Sequence, residues 1–419
     1  MRVPTFISSF GVAEISQSAA SHRKQTGARI ATTLMGLGLT LFVAGAAYAI
    51  PPADEVGPGF LPNPVTVVST VPPNGDLNPY GVAFVPPGFP TGGTTSPGDI
   101  LVSNFNSSAN LQATGTTIVR VPTTGANTVF YQGPAGLGLT TALNVLRAGV
   151  VVVGNLPTTD GSCATATAGS LLVLDRSGHL VSTLTDATLI NGPWDSTVFD
   201  EGNHAQLFVS NVLSGGLTRF DLNVWPGGVT VVKSLQIASG YSHRCDPAAL
   251  VVGPTGLAYD SSRDILYVAS TEDNAVYAVH GAGHATTDHG PGTVIYTDAT
   301  HLHGPLGLVL APDGHLIASN SDVINSDPTQ PSELVEFTPQ GQFVKQLSMD
   351  PAQGGSFGLA LARSADDTIR FAAVDDNASN MTIWTLPNPQ PDRFFFSFSA
   401  PLNTDPTRLQ SAQSSAASR

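Results

Sequence analysis

The amino-acid sequence predicts an all-β fold: a six-bladed β-propeller with four-stranded blades. A four-strand pattern recurs about every 50 to 60 residues, the spacing of propeller blades rather than of helical solenoids. The strands are short, and several are apolar throughout rather than alternating, so both faces of each small sheet must be covered. The last repeat lacks a strand that the start of the chain can supply.

Taken in order, the first unit opens at Asn78-Pro79-Tyr80-Gly81-Val82-Ala83-Phe84. The second, near Gly138 to Leu146, is placed mainly by the apolar run Val150 to Val153. The third opens at Asn191-Gly192-Pro193-Trp194. The fourth is the clearest. It opens at Gly253-Pro254-Thr255-Gly256-Leu257-Ala258 and continues with Ile265-Leu266-Tyr267-Val268-Ala269-Ser270 and Asn274-Ala275-Val276-Tyr277. The fifth repeats that plan from His303-Gly304-Pro305-Leu306-Gly307, and the sixth from Ser356-Phe357-Gly358. Gly256, Gly307 and Gly358 stand 51 residues apart at each step. The sixth unit then shows three strands and runs into Pro387 and Pro389. Val65 to Thr70 is the spare strand, and pairing it there closes the ring and removes its free edges. The propeller therefore spans residues 65–386, after a linker at 50–64 and before a tail at 387–419. The end of that tail, rich in Ser, Ala and Gln, is expected to be disordered.

These motifs resemble NHL-repeat proteins and the broader six-bladed group that includes the SMP-30/gluconolactonase lineage. The G-P-x-G opening and the Tyr267-Val268-Ala269-Ser270 strand carry the likeness. The resemblance implies architecture more than chemistry. In NHL repeats an Asp usually ends the second strand, whereas here only Asp375 does so. The gluconolactonase lineage implies a divalent ion in the channel, held by a carboxylate and amides. This chain departs from that set, with Asn78 and Asn191 at openings where the lineage has Glu, and Thr255 and Leu306 where it has Asn.

Composition narrows the functions. Charged residues are 11% of the 419, and the formal net charge is −14. Without Arg2, Arg23, Lys24, Arg29 and Glu14, all in the first 49 residues, the charge is −17. Such a surface repels phosphate backbones, so nucleic acid is excluded as a partner. Residues 1–49 read as a signal peptide. Arg23, Lys24 and Arg29 flank the apolar run Ile30 to Ala46, and Ala47-Tyr48-Ala49 forms the cleavage site. A retained membrane anchor is the alternative, because the run is just long enough to span a bilayer. The protein is thus expected to be secreted or periplasmic, and monomeric, meeting a membrane only through an uncleaved segment. In such a compartment Cys163 and Cys245 can form a disulfide, since both lie in loops on one face.

In a propeller that face carries the channel mouth. Six residues end the second strands at equivalent places: Asn104, Asn155, Asn211, Ser270, Asn320 and Asp375. They could present amides to a ligand or oxygens to a hard cation, or bond to the backbone and shape the turns. His243, His303 and Asp375 are candidates for one divalent ion, calcium or zinc. No nucleophile or phosphate-binding motif occurs, and Asp195-Ser196 falls in no recognisable catalytic frame. The primary expectation is an exported binding module whose mouth takes a protein, glycan or small molecule. The alternative is a metal-dependent hydrolase or lyase, lactonase-like, with its site in the channel.

Overall fold

The computed structural model describes Phe60 and residues 66–387, apart from Gln330, Ala365 and Asp366. The expected signal peptide or anchor, most of the linker and the tail beyond Pro387 lie outside the described residues. Among the described residues, no helix is long and apolar enough to cross a membrane.

Six four-stranded antiparallel sheets form a propeller. Blade 1 comprises Leu77–Phe84, Ile100–Asn106, Thr117–Val121 and Thr128–Gln132. Blade 2 comprises Leu139–Leu146, Val150–Asn155, Ser170–Asp175 and Leu180–Leu184. Blade 3 has the longest strands: Pro193–Asp200, His204–Asn211, Gly216–Trp225 and Gly228–Ser239. Blade 4 is Pro254–Asp260, Ile265–Ser270, Ala275–His280 and Thr293–Tyr296. Blade 5 is Pro305–Leu310, Leu316–Asn320, Glu333–Phe337 and Phe343–Ser348. In blade 6 the strands Ser356–Arg363, Thr368–Asp375 and Asn380–Pro387 are joined by Thr66–Ser69, with Thr66 opposite Ile383 and Ser69 opposite Asn380.

The continuous apolar runs have the cause inferred from sequence. Val150, Val151, Val152 and Val153 are all buried, because blades on either side cover both faces of their sheet. Each buried valine contributes roughly 1.5–3 kcal/mol relative to exposure.

Every inner strand breaks register just after its opening, as between Pro254 and Leu257 or Pro305 and Leu308. Such bulges turn the strand and deepen its twist. They also bring neighbouring inner strands very close. A Cβ on Gly358 would lie 1.9 Å from the Tyr80 carbonyl oxygen, and one on Gly307 would lie 2.5 Å from that of Phe357. The repeated glycine is therefore a spacing requirement of the axis.

Hydroxyls stitch the inner ring. Ser103 Oγ donates to Thr140 O (2.8 Å), Thr140 Oγ1 to Pro193 O (2.7 Å) and Ser210 Oγ to Thr255 O (2.7 Å). Thr271 Oγ1 donates to Pro305 O (2.7 Å), and Ser319 Oγ to Phe357 O (2.6 Å). Each bond crosses from one blade to the next.

One element was not expected. Between blades 3 and 4 the chain makes a short hairpin, Arg244–Asp246 against Leu250–Val252. It carries Cys245, which is disulfide-bonded to Cys163 in the blade 2 loop, with the Cα atoms 5.7 Å apart. The bridge is compatible with an exported protein.

Candidate functional site

The loop-rich mouth of the channel holds a cavity of about 520 Å3. Its floor is aromatic. Tyr80 stacks between Phe105 (ring centroids 4.3 Å) and Phe357 (4.4 Å), with Trp194 edge-on at 5.7 Å. Tyr80, Trp194 and Phe357 come from the beginnings of the inner strands of blades 1, 3 and 6, and Phe105 from the end of the second strand of blade 1. Burial raises the Tyr80 phenol, with the Asp376 charge adding to it.

Above the floor the wall is oxygen-rich. Asn78, Asn106, Asp322 and Asp376 line the cavity, and each keeps a buried Oδ1 without a protein partner. Gln112 Oε1 is in the same condition, and Trp194 Nε1 is the matching unpaired donor. Lys, Arg and His are absent from the lining residues. Local backbone geometry explains the residue types. Asn78, Asn110 and Asp322 adopt left-handed conformations (φ 63°, 55° and 54°), which Asn and Asp tolerate best among residues with a Cβ. Asp322 is anchored through its other oxygen, which accepts the N–H groups of Ser332 (3.0 Å) and Gly354 (3.2 Å). Burial, reinforced by the neighbouring Asp375 charge, pushes Asp376 up to about 8. Burial also raises Asp375 to about 6.

The six strand-end residues occupy equivalent register positions, with Asn104 opposite Pro79, Asn211 opposite Pro193 and Asn320 opposite Pro305. Their hydrogen bonds run to neighbouring loops. Asn155 Oδ1 accepts Gly138 N–H, Asn211 Oδ1 accepts Asn191 N–H, and Asn320 Oδ1 accepts His303 N–H, each at 2.9 Å. Asn104 Nδ2 donates to Thr70 O (3.2 Å), and Asp375 Oδ1 accepts Ala378 N–H (3.2 Å). Ser270 Oγ bonds to Asp273 Oδ2 (2.7 Å). The cavity is lined instead by residues one or two positions later, namely Asn106, Thr271, Ser321, Asp322 and Asp376.

The histidine candidates do not gather either. The buried His303 ring faces two carbonyls, with Nδ1 at Asn325 O (2.5 Å) and Nε2 at Thr300 O (3.1 Å). His243 Nδ1 faces Tyr241 O (3.1 Å). Among the described residues, the one trio of His, Cys or acidic groups whose ligand atoms converge is Asp313, His315 and Glu336. His243, His303 and Asp375 therefore form no such set. In the trio, His315 Nδ1 lies 2.8 Å from Glu336 Oε1 and 3.3 Å from Asp313 Oδ2, and Glu336 also accepts Phe60 N–H. It is an ion-pair network that holds Phe60 against Phe371.

No family model and no curated relative matches the chain. Solved structures do. A gluconolactonase from Xanthomonas campestris is 12% identical, with a TM-score of 0.48, covering 80% of this chain and 99% of that one. The calcium-binding protein regucalcin from Agrobacterium tumefaciens is 13% identical (TM-score 0.45), over 76% of this chain and 94% of that one. Virginiamycin B lyase from Staphylococcus aureus, solved as an inactive variant with quinupristin, is 12% identical (TM-score 0.43), over 78% and 89%. The likeness concerns the fold alone.

Proposed function

We propose that the protein is a ligand-binding propeller whose loop-rich mouth takes a cation, either a divalent metal ion or the cationic group of a small molecule. One observation carries this reading: Asn78, Asn106, Asp322 and Asp376 keep unpartnered buried oxygens over an aromatic floor in a cavity without a cationic side chain. Unsatisfied buried oxygens are costly, and a cation relieves several at once. The test is thermal shift and metal analysis of the purified protein with calcium, zinc and manganese, with and without chelator. Binding at one hundred times Kd stabilises by about 2.7 kcal/mol. The expected result is a rise in melting temperature with at least one ion, lost in Asp322→Asn combined with Asp376→Asn. Melting that ignores every ion and small ammonium compounds alike would remove the proposal.

A second reading, a lactonase-like hydrolase or lyase, is favoured by Asp376 alone. Burial and the Asp375 charge push it up to about 8, in the range that suits a general acid or base. Asn78, Asn106 and Asp322 would hold a divalent ion, whose contribution is to polarise a carbonyl. Ion-dependent turnover of lactones or esters that disappears in Asp376→Asn would support this reading, and binding without turnover would leave the binding module.

A further inference from the structure

The far end of the channel holds a second cavity, of about 210 Å3, lined by all six inner strands. Its wall is divided. Val82, Leu257, Leu308 and Leu359, from blades 1, 4, 5 and 6, form an apolar arc, whereas blades 2 and 3 contribute Thr141, Asn144, Asp195 and Ser196, with the Arg147–Asp200 pair further along. The division follows from the repeat. Blades 1, 4, 5 and 6 place Gly81, Gly256, Gly307 and Gly358 at one axial position. Blade 3 has Asp195 there: its N–H goes to Ser210 Oγ (3.0 Å), as those of Gly81 and Gly307 go to Ser103 Oγ (3.0 Å) and Ser319 Oγ (2.8 Å). Blade 2 spends an extra residue between Leu139 and Leu143 and sets Thr141 in this region.

Both side chains are poorly matched. Asp195 is 8% exposed and accepts only two backbone N–H groups, from Ser196 (2.8 Å) and Leu257 (3.1 Å). Among the described residues no Lys, Arg or His pairs with it; Arg147, which also lines the cavity further along blade 2, has its guanidinium turned to Asp200, with Nε 3.7 Å from the carboxylate and Nη2 donating to the Asp200 carbonyl. Thr141, 6% exposed, has an Oγ1 without a protein partner. A buried carboxylate without a counter-charge is costly. A metal ion would need several oxygen ligands, and Val82, Leu257, Leu308 and Leu359 opposite offer none, while the Tyr259 hydroxyl is bonded to Asp264. An ammonium group carried on an alkyl chain meets both walls.

We infer that this cavity is a second ligand site, separate from the loop-rich mouth, for a small primary alkylammonium compound. Its ammonium group sits against Asp195 and Thr141, and its chain lies on the Leu257, Leu308 and Leu359 arc. Isothermal titration of the purified protein with hexylammonium chloride, against hexan-1-ol and calcium chloride, tests it. Saturable one-to-one binding of hexylammonium is expected, at least about tenfold tighter than hexanol and at least about tenfold weaker in Asp195→Asn. Thr141→Val should weaken it a few-fold. Equal affinity for hexanol, no saturation at millimolar hexylammonium, or unchanged binding in a folded Asp195→Asn protein would overturn the assignment. So would calcium competing with hexylammonium for the same site. If Asp195→Asn does not fold, Leu308→Phe, which fills the apolar arc, must abolish binding, and unchanged binding there overturns the assignment equally.

Discussion

Blades 4, 5 and 6 and blades 2 and 3 share a fold but put different groups at the axis. The first three repeat a glycine, and the crowding around Gly256, Gly307 and Gly358 leaves no room for anything else. Blades 2 and 3 break the pattern with Thr141 and Asp195, and the channel opens there into a polar arc. The Cys163–Cys245 bridge spans this same irregular sector, from the blade 2 loop to the hairpin before blade 4. Regular repeats build the ring, and departures from the repeat place chemistry inside it.

Removing the bridge should give the largest effect on that contrast. The disulfide closes 82 residues of sequence, so its loss costs on the order of 4 kcal/mol in the chain-entropy account. Cys245→Ser should lower the urea midpoint, and amide exchange should rise in blades 2 and 3 but not in blade 5. Uniform exchange would show that the two sectors do not differ.

Next in size is Gly358→Ala, whose methyl would lie 1.9 Å from Tyr80 O. A loss of about 3 kcal/mol in denaturant unfolding is expected from the forced backbone shift. Asp195→Gly, restoring the repeat in blade 3, should be tolerated at neutral pH.

Asp195 also sets a pH dependence. Burial raises it from 3.8 to about 7. Between those values the folded protein keeps a proton that the unfolded chain has released, so stability falls as pH rises through this window. The Asp195 share of the loss between pH 5 and 8 should be about 2.5 kcal/mol, read as a falling melting temperature whose slope is reduced in Asp195→Asn but not removed, because Asp375 and Asp376 are raised in the same direction. A wild-type profile as flat as the variant's would show Asp195 ionised throughout.

Asn320→Ala should cost about 1.5 kcal/mol, because it strips the bonds to His303 N–H and His301 O. Ser270→Ala should cost less, since Ser270 Oγ is bonded to the side chain of Asp273 rather than to a loop backbone. Equal costs would show that the strand-end residues do not brace the loops.

The regular blades were legible in the sequence because their spacing constraint is local and leaves a glycine at each step. The hairpin at Arg244–Val252 was not, since three-residue strands are too short to show alternation. The equivalence of Asn104, Asn155, Asn211, Ser270, Asn320 and Asp375 could be read from their place at strand ends. The direction of each side chain could not, because it depends on the path of a loop arriving from the previous blade. Asn106, Asp322 and Asp376 were missed for the same reason, although each follows a strand-end residue by one or two positions. Asp195 had no motif around it, and its meaning comes from the glycine it replaces.

We propose that the mouth oxygens of Asn78, Asn106, Asp322 and Asp376 receive a cation. A crystal soaked with terbium chloride, a calcium substitute with strong anomalous scattering, tests this most directly. An anomalous peak is expected in the mouth cavity, within bonding distance of oxygens from at least two of those four residues. A fully occupied peak elsewhere, with the mouth empty, would contradict it.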